Sequence, residues 1–85
     1  MTEAMLHIAS AVVKVRPADQ HAVAERIAAL AGTDVVAIDQ GRIIVVLETA
    51  DQHVISDTLN YIAGLEGVLS ATLVFEHSEP EGEAA

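Results

Sequence analysis

The 85-residue chain has no cysteine, which excludes disulfides, iron–sulfur clusters and thiolate metal sites, and with them a redox role. Aromatic residues are 2% of the chain, Tyr61 and Phe75 alone. The chain therefore has almost nothing to offer for base stacking on an aromatic sheet, the mode that RNA-recognition domains use. Cations are scarce: thirteen acids face four bases (Lys14, Arg16, Arg26, Arg42), for a net charge of −9. Such a surface repels phosphate backbones, so nucleic acid is not an expected partner, whereas a basic peptide suits it. No apolar run approaches the roughly 18 residues of a membrane span, and Met1-Thr2-Glu3-Ala4-Met5 has neither the basic start nor the apolar stretch of a secretion signal. The expected location is the cytoplasm, with no membrane insertion.

What is present is aliphatic. A hydrophobic fraction of 52% made almost wholly of Val, Ile, Leu and Ala favours strands packed on helices. The length allows one domain, since a chain this small buries only about 60% of the surface that its unfolded form exposes.

The β-branched run from His7 to Arg16 reads as a first strand, closed by Pro17. From Asp19 to Ala31, Val23, Ile27 and Leu30 recur at i, i+4 and i+7, one buried helical stripe stopped by Gly32. Val35–Ile38 and Arg42–Glu48 form a hairpin around Asp39-Gln40-Gly41. Thr49 and Gln52 have capping-box spacing before a second stripe of Ile55, Leu59 and Ile62 in a helix spanning about 51–65. Val68–Phe75 is a fourth strand. Glu76 onward is polar and acidic, with Pro80 and Gly82 as breakers.

An internal repeat supports this order. Ala18-Asp19-Gln20-His21 returns as Ala50-Asp51-Gln52-His53, and Ile27-Ala28-Ala29-Leu30-Ala31-Gly32 parallels Ile62-Ala63-Gly64-Leu65-Glu66-Gly67. The offset grows from the helix starts to the helix ends, which predicts a second helix about one turn longer than the first. Two successive βαβ halves give an α+β, ferredoxin-like βαββαβ fold, a four-stranded antiparallel sheet in order 4-1-3-2 with both helices on one face. The expected organisation is an N-terminal extension over 1–6, the domain over 7–77, and a disordered acidic tail over 78–85.

Strand side chains alternate between faces. The repeat aligns Ala11, Val13 and Val15 with Ile43, Val45 and Leu47, an apolar set expected under the helices, joined by Leu69, Ala71, Leu73 and Phe75 of the fourth strand. The other face then carries Ile8, Ser10, Val12 and Lys14, with Ile44, Val46 and Glu48, and with Ser70, Thr72 and Val74. Nothing left in the chain covers it. A solvated antiparallel face alternates to polar residues, yet Val12, Ile44, Val46 and Val74 would sit together here. A homodimer packed sheet to sheet, or small β-formers that tolerate water, would account for the same pattern. The shallow Ser/Thr rim favours an amphipathic peptide helix on a monomer, with Glu48 either meeting a peptide cation or pairing across strands with Arg16.

No nucleophile–base pair, close carboxylate pair or glycine-rich phosphate loop is present, so no catalytic residues, cofactor or metal are expected, and the chain is not read as an enzyme. His7 and His77 fall at paired strand ends, where with Glu76 they would make at most a thin metal site. His21 and His53 open the two helices and are read as solvated surface residues.

These patterns resemble the NapD chaperones that mature periplasmic nitrate reductase. The similarity runs over about residues 7–77 and is carried by His7-Ile8-Ala9-Ser10-Ala11-Val12-Val13, Gly41-Arg42-Ile43-Ile44-Val45-Val46-Leu47-Glu48, and Glu66-Gly67-Val68-Leu69-Ser70-Ala71-Thr72-Leu73-Val74-Phe75. Each is a strand pattern, and their order and spacing carry the specificity. The resemblance implies a cytoplasmic chaperone that binds the twin-arginine signal peptide of the nitrate reductase catalytic subunit, as a helix on the sheet, and holds back export until the molybdenum cofactor is installed. The competing class on the same fold is a small-molecule-sensing regulatory domain that acts as an oligomer.

Overall fold

The computed structural model describes residues 5–80. Strand β1 (Met5–Val15) leads through a 3-10 turn at Pro17–Asp19 into helix α1 (Gln20–Ala28). Strands β2 (Thr33–Asp39) and β3 (Arg42–Thr49) follow, then α2 (Gln52–Ala63) and β4 (Val68–Pro80). The sheet order is β2-β3-β1-β4, all neighbours antiparallel, the expected 4-1-3-2 arrangement read from the other edge. The fold is thus ferredoxin-like. At 12 residues against 9, α2 exceeds α1 by just under one turn, as the offset predicts.

One sheet face makes the core. Ala9, Val13 and Val15 of β1 and Ile43, Val45 and Leu47 of β3 are buried together with Val23, Ala24 and Ile27 of α1 and Ile55 and Ile62 of α2. These sheet residues share one alternation phase, so both helices lie on that side. Helix α1 packs chiefly on β2 and α2 on β4. The largest fully buried side chains are Ile27, Ile43, Ile62, Val13 and Val45, an aliphatic core, as the scarcity of aromatics requires.

The β2–β3 hairpin closes on Gln40 and Gly41, both at positive φ (50° and 79°), with Asp39 opposite Arg42. Such a two-residue turn matches the sheet twist, and glycine adopts it without steric cost. A Cβ at Gly41 would also lie 2.6 Å from the Val15 carbonyl oxygen, so the hairpin presses directly on the end of β1.

Several local expectations change. Helix α2 is capped by Asp51, whose Oδ1 accepts from the His53 backbone N–H at 2.9 Å, while Thr49 Oγ1 accepts from the Asp51 N–H at 3.1 Å. Thr49 is thus one step outside the cap, and the Thr49/Gln52 capping box is not formed. Arg16 donates to Asp19 at 3.1 Å instead of pairing with Glu48, because β1 ends at Val15 and Glu48 stands opposite Ile8. The domain boundaries also widen. Met5 pairs with Pro80, Leu6 with Glu79 and His7 with Ser78, so residues expected in the extension and the tail belong to strands. The rest of the expected tail, 81–85, and residues 1–4 lie outside the described residues. Polar composition misled here because an edge strand exposed on both faces needs few apolar side chains.

Candidate functional site

The register lays the uncovered face out in rows across β3, β1 and β4, since directly opposed residues point to the same side. Glu48, Ile8 and His77 form one row. Val46, Ser10 and Phe75 form the next, with Asp34 of β2 beside Val46. Ile44, Val12 and Thr72 come third, with Ala37 beside Ile44. Arg42, Lys14 and Ser70 come last, with Asp39 beside Arg42. Every residue expected on this face from β1 and β3 is there, and so are Ser70 and Thr72 of β4.

Val74 reaches the face by a different route. Ser10 pairs with Phe75 and Ala11 with Leu73, which leaves Val74 as the extra residue of a β-bulge. It nonetheless lines a shallow hollow of about 390 Å³ with Val12, Lys14, Arg42, Ile44 and Thr72. Beyond the bulge the alternation is inverted, so Phe75 does not lie under the helices as its spacing from Leu73 suggested. It stands opposite Ser10 on the uncovered face, 56% exposed. Its ring stacks on His77 two residues on, with centroids 6.4 Å apart and planes 18° from parallel, which fixes both rings on one side.

A second shift, between Lys14 and Val15, puts Val68 opposite Val15 and leaves Leu69 unpaired and 67% exposed. Of the fourth-strand series expected in the core, Ala71 packs against it. Leu73 faces it opposite Ala11 but stays 41% exposed near the sheet edge.

The uncovered face therefore has an apolar centre of Ile8, Val12, Ile44, Val46, Val74 and Phe75. Alternation alone, followed outward from Ile44 and Val46, would have added Arg42 to the expected set. Asp34 was missed because β2 starts two residues before Val35. Phe75 and His77 were missed because a bulge leaves no mark in an apolar run.

The paired-histidine idea fails on geometry. His7 is opposite Ser78, its Nδ1 2.6 Å from the Ser78 hydroxyl, whereas His77 is opposite Ile8. Adjacent register positions face opposite sides of the sheet, so the two imidazoles cannot share an ion. His77 Nε2 instead lies 3.8 Å from Glu79. Among the described residues no three of His, Cys, Asp or Glu cluster as metal ligands would. His21 and His53 are exposed. A second hollow of about 270 Å³ is lined by Arg16, Asp19, Ala22, Val23, Arg26 and Glu66; its two arginines are matched by two carboxylates, so it offers little net charge to an ion. No helix among the described residues is long and apolar enough to cross a membrane.

Comparison with known proteins agrees with this architecture. The solution structure of the E. coli Tat proofreading chaperone protein NapD superposes with a TM-score of 0.80 at 27% identity, covering 99% of this chain and 90% of that one. The Chaperone NapD of Paracoccus pantotrophus is 42% identical over 78 residues, which are 92% of this chain and 70% of that protein. The family model described as NapD protein matches residues 6–80, nearly the whole span from the first strand to the end of the fourth, and the chain belongs to the NapD family.

Proposed function

We propose that this chain is a cytoplasmic chaperone that binds the twin-arginine signal peptide of the periplasmic nitrate reductase catalytic subunit and delays export until the molybdenum cofactor is in place. The observation that carries the proposal is the uncovered apolar face. Val12, Ile44, Val46, Val74 and Phe75 lie together on adjacent strands, and no element of the described chain packs on them. Membership of a family in which the E. coli protein is named as a Tat proofreading chaperone supports the choice of ligand.

The physics of the match is direct. A twin-arginine signal is basic in front and apolar behind, while this protein has a net charge of −9 and an apolar sheet centre. Each aliphatic side chain fully covered by the bound peptide contributes roughly 1.5–3 kcal/mol, and part of the sum is offset by docking and by ordering the peptide as a helix. A largely preformed face with several such residues leaves a net affinity without any covalent chemistry.

The test is calorimetry with the synthetic signal peptide. Ile44→Asp and Val46→Asp should each weaken binding about tenfold or more, because a carboxylate would be desolvated beneath the apolar stripe. Normal binding by both variants, with loss of binding on mutation of the exposed helix surfaces, would refute the proposal. Mass measured in solution separates the sensor alternative, which requires an oligomer where the chaperone reading expects a monomer that gains the mass of one peptide.

A further inference from the structure

The uncovered face is charged at both ends, with opposite signs. At the end where β1 begins, Glu48 shares a row with Ile8 and His77, Asp34 lies beside Val46 in the next row, and Glu79 stands opposite Leu6 one row further out. At the other end Lys14 and Arg42 are direct cross-strand neighbours, with Asp39 beside Arg42 offsetting one of the two charges. Asp34, Glu48, Lys14 and Arg42 are all exposed, and among the described residues none of them forms an ion pair. The apolar residues lie between the two ends.

The span suits a helix lying along the strands. From Ile8 to Lys14 is six strand steps, or about 20 Å at roughly 3.3 Å each, the length of about 13 helical residues at roughly 1.5 Å rise. Such a helix carries about half a positive charge at its N-terminus and half a negative charge at its C-terminus. With the N-terminus at the Glu48 end, both the dipole and any leading arginines meet carboxylates, and the terminal carbonyls meet Lys14 and Arg42. The reverse direction opposes like charges at both ends, which costs affinity and fixes register.

We infer that a peptide carrying adjacent arginines ahead of an apolar stretch lies along the strands of this face in one direction only, its arginines at the Glu48–Asp34 end and its apolar segment running toward Lys14 and Arg42. This direction rests on the peptide-binding proposal above and adds Asp34, Glu48, Lys14 and Arg42 as the residues that set it.

The experiment is a charge-reversal cycle at low ionic strength. Two protein variants, Asp34→Lys/Glu48→Lys and Lys14→Glu/Arg42→Glu, are titrated with the synthetic signal peptide and with a peptide whose two arginines are replaced by glutamate. All four positions are exposed, so both variants should melt close to the parent; the single change Glu48→Gln serves as a milder variant of the same end. The acidic-end variant should lose about tenfold in affinity for the parent peptide and regain it with the glutamate peptide, an effect that fades as salt rises. The basic-end variant should show no such rescue. Rescue of the basic-end variant instead would reverse the direction, and equal responses of the two ends would remove any direction; either result overturns the inference while leaving the binding site standing. Failure of the unmodified protein to bind the parent peptide would refute the peptide-binding proposal itself.

Discussion

Ile44 and Val45 are neighbours in β3 that point to opposite faces, so the same substitution at each position tests which side of the sheet is closed. Val45 is fully buried among β1 and the helices. Val45→Asp forfeits about 1.5–3 kcal/mol of apolar burial and places a polar group without a partner in the core at about 1–3 kcal/mol more, in all about 2.5–6 kcal/mol. An 85-residue domain at roughly 0.05–0.15 kcal/mol per residue has only about 4–13 kcal/mol to lose. Ile44 is half-buried beside Val12 and Ala37 and lines the hollow with Lys14 and Arg42, where a carboxylate stays hydrated next to two cations. Ile44→Asp should cost about 1–2 kcal/mol, from lost partial burial and poor strand propensity. The middle of those two ranges differs by about 2.75 kcal/mol, so at about 4–8 °C per kcal/mol for a domain this size Val45→Asp should melt about 10–20 °C below Ile44→Asp, or show no cooperative transition by circular dichroism. The gap should widen with pH. The introduced buried carboxyl titrates above its unfolded value of about 3.9, so the penalty is smallest below that value and grows as the unfolded chain ionises. Equal melting temperatures for the two variants would mean that the Ile44 face is as closed as the core, covered by something such as a second copy of the chain.

Phe75→Ala should leave the melting temperature within a few degrees of the parent, because the ring is 56% exposed, yet weaken signal-peptide binding about tenfold, the share of an aromatic anchor; unchanged affinity by calorimetry would remove Phe75 from the face that binds. Truncation after Pro80 removes only Glu81-Gly82-Glu83-Ala84-Ala85, which carry no large apolar side chain, and should not alter thermal stability. Truncation after His77 removes the partners of Met5, Leu6 and His7 together with the His7–Ser78 contact, and should cost about 1 kcal/mol; identical melting of the two truncations would show that the end of β4 contributes nothing. Asp51→Ala should destabilise the domain by about 0.5–2 kcal/mol through loss of the α2 cap, measured by urea unfolding.

The fold was legible because its signals are periodic and repeated. Val23 and Ile27 are, with Ala24, the buried positions of the first helix, and Ile55 and Ile62 those of the second, and the copy of Ala18–His21 at Ala50–His53 places both helix starts after equivalent strands. Such a duplication leaves few topologies, since each strand–helix–strand unit is right-handed. Strand ends were less legible. Met5, Leu6 and Ser78–Pro80 extend β1 and β4 by backbone pairing with each other, and backbone hydrogen bonds between two polar or mixed segments have no side-chain pattern to announce them.

The site divides along the same line. On β1 and β3, the central strands, period-2 alternation holds without interruption between them, and the faces follow from counting by twos. On β4 it breaks twice, at Leu69 and Val74, and each break inverts the count. The reason lies in what an edge strand must do. A straight, flat, apolar edge from Val68 to Phe75 would offer its unpaired amides to another chain, and bulges that twist and interrupt it reduce that hazard. The bulge at Val74 also decides composition: with uniform alternation from Leu73, Phe75 would point to the helix side and Glu76 to the uncovered face. The extra residue instead sends Phe75 to the uncovered face opposite Ser10 and leaves Glu76 on the helix side, where its Oε2 accepts from Gln52 Nε2 at 3.2 Å. One inserted position thus adds the fold's only exposed phenyl ring to the apolar surface and keeps a carboxylate off it, so an irregularity invisible in the sequence enlarges the surface on which the proposed function depends.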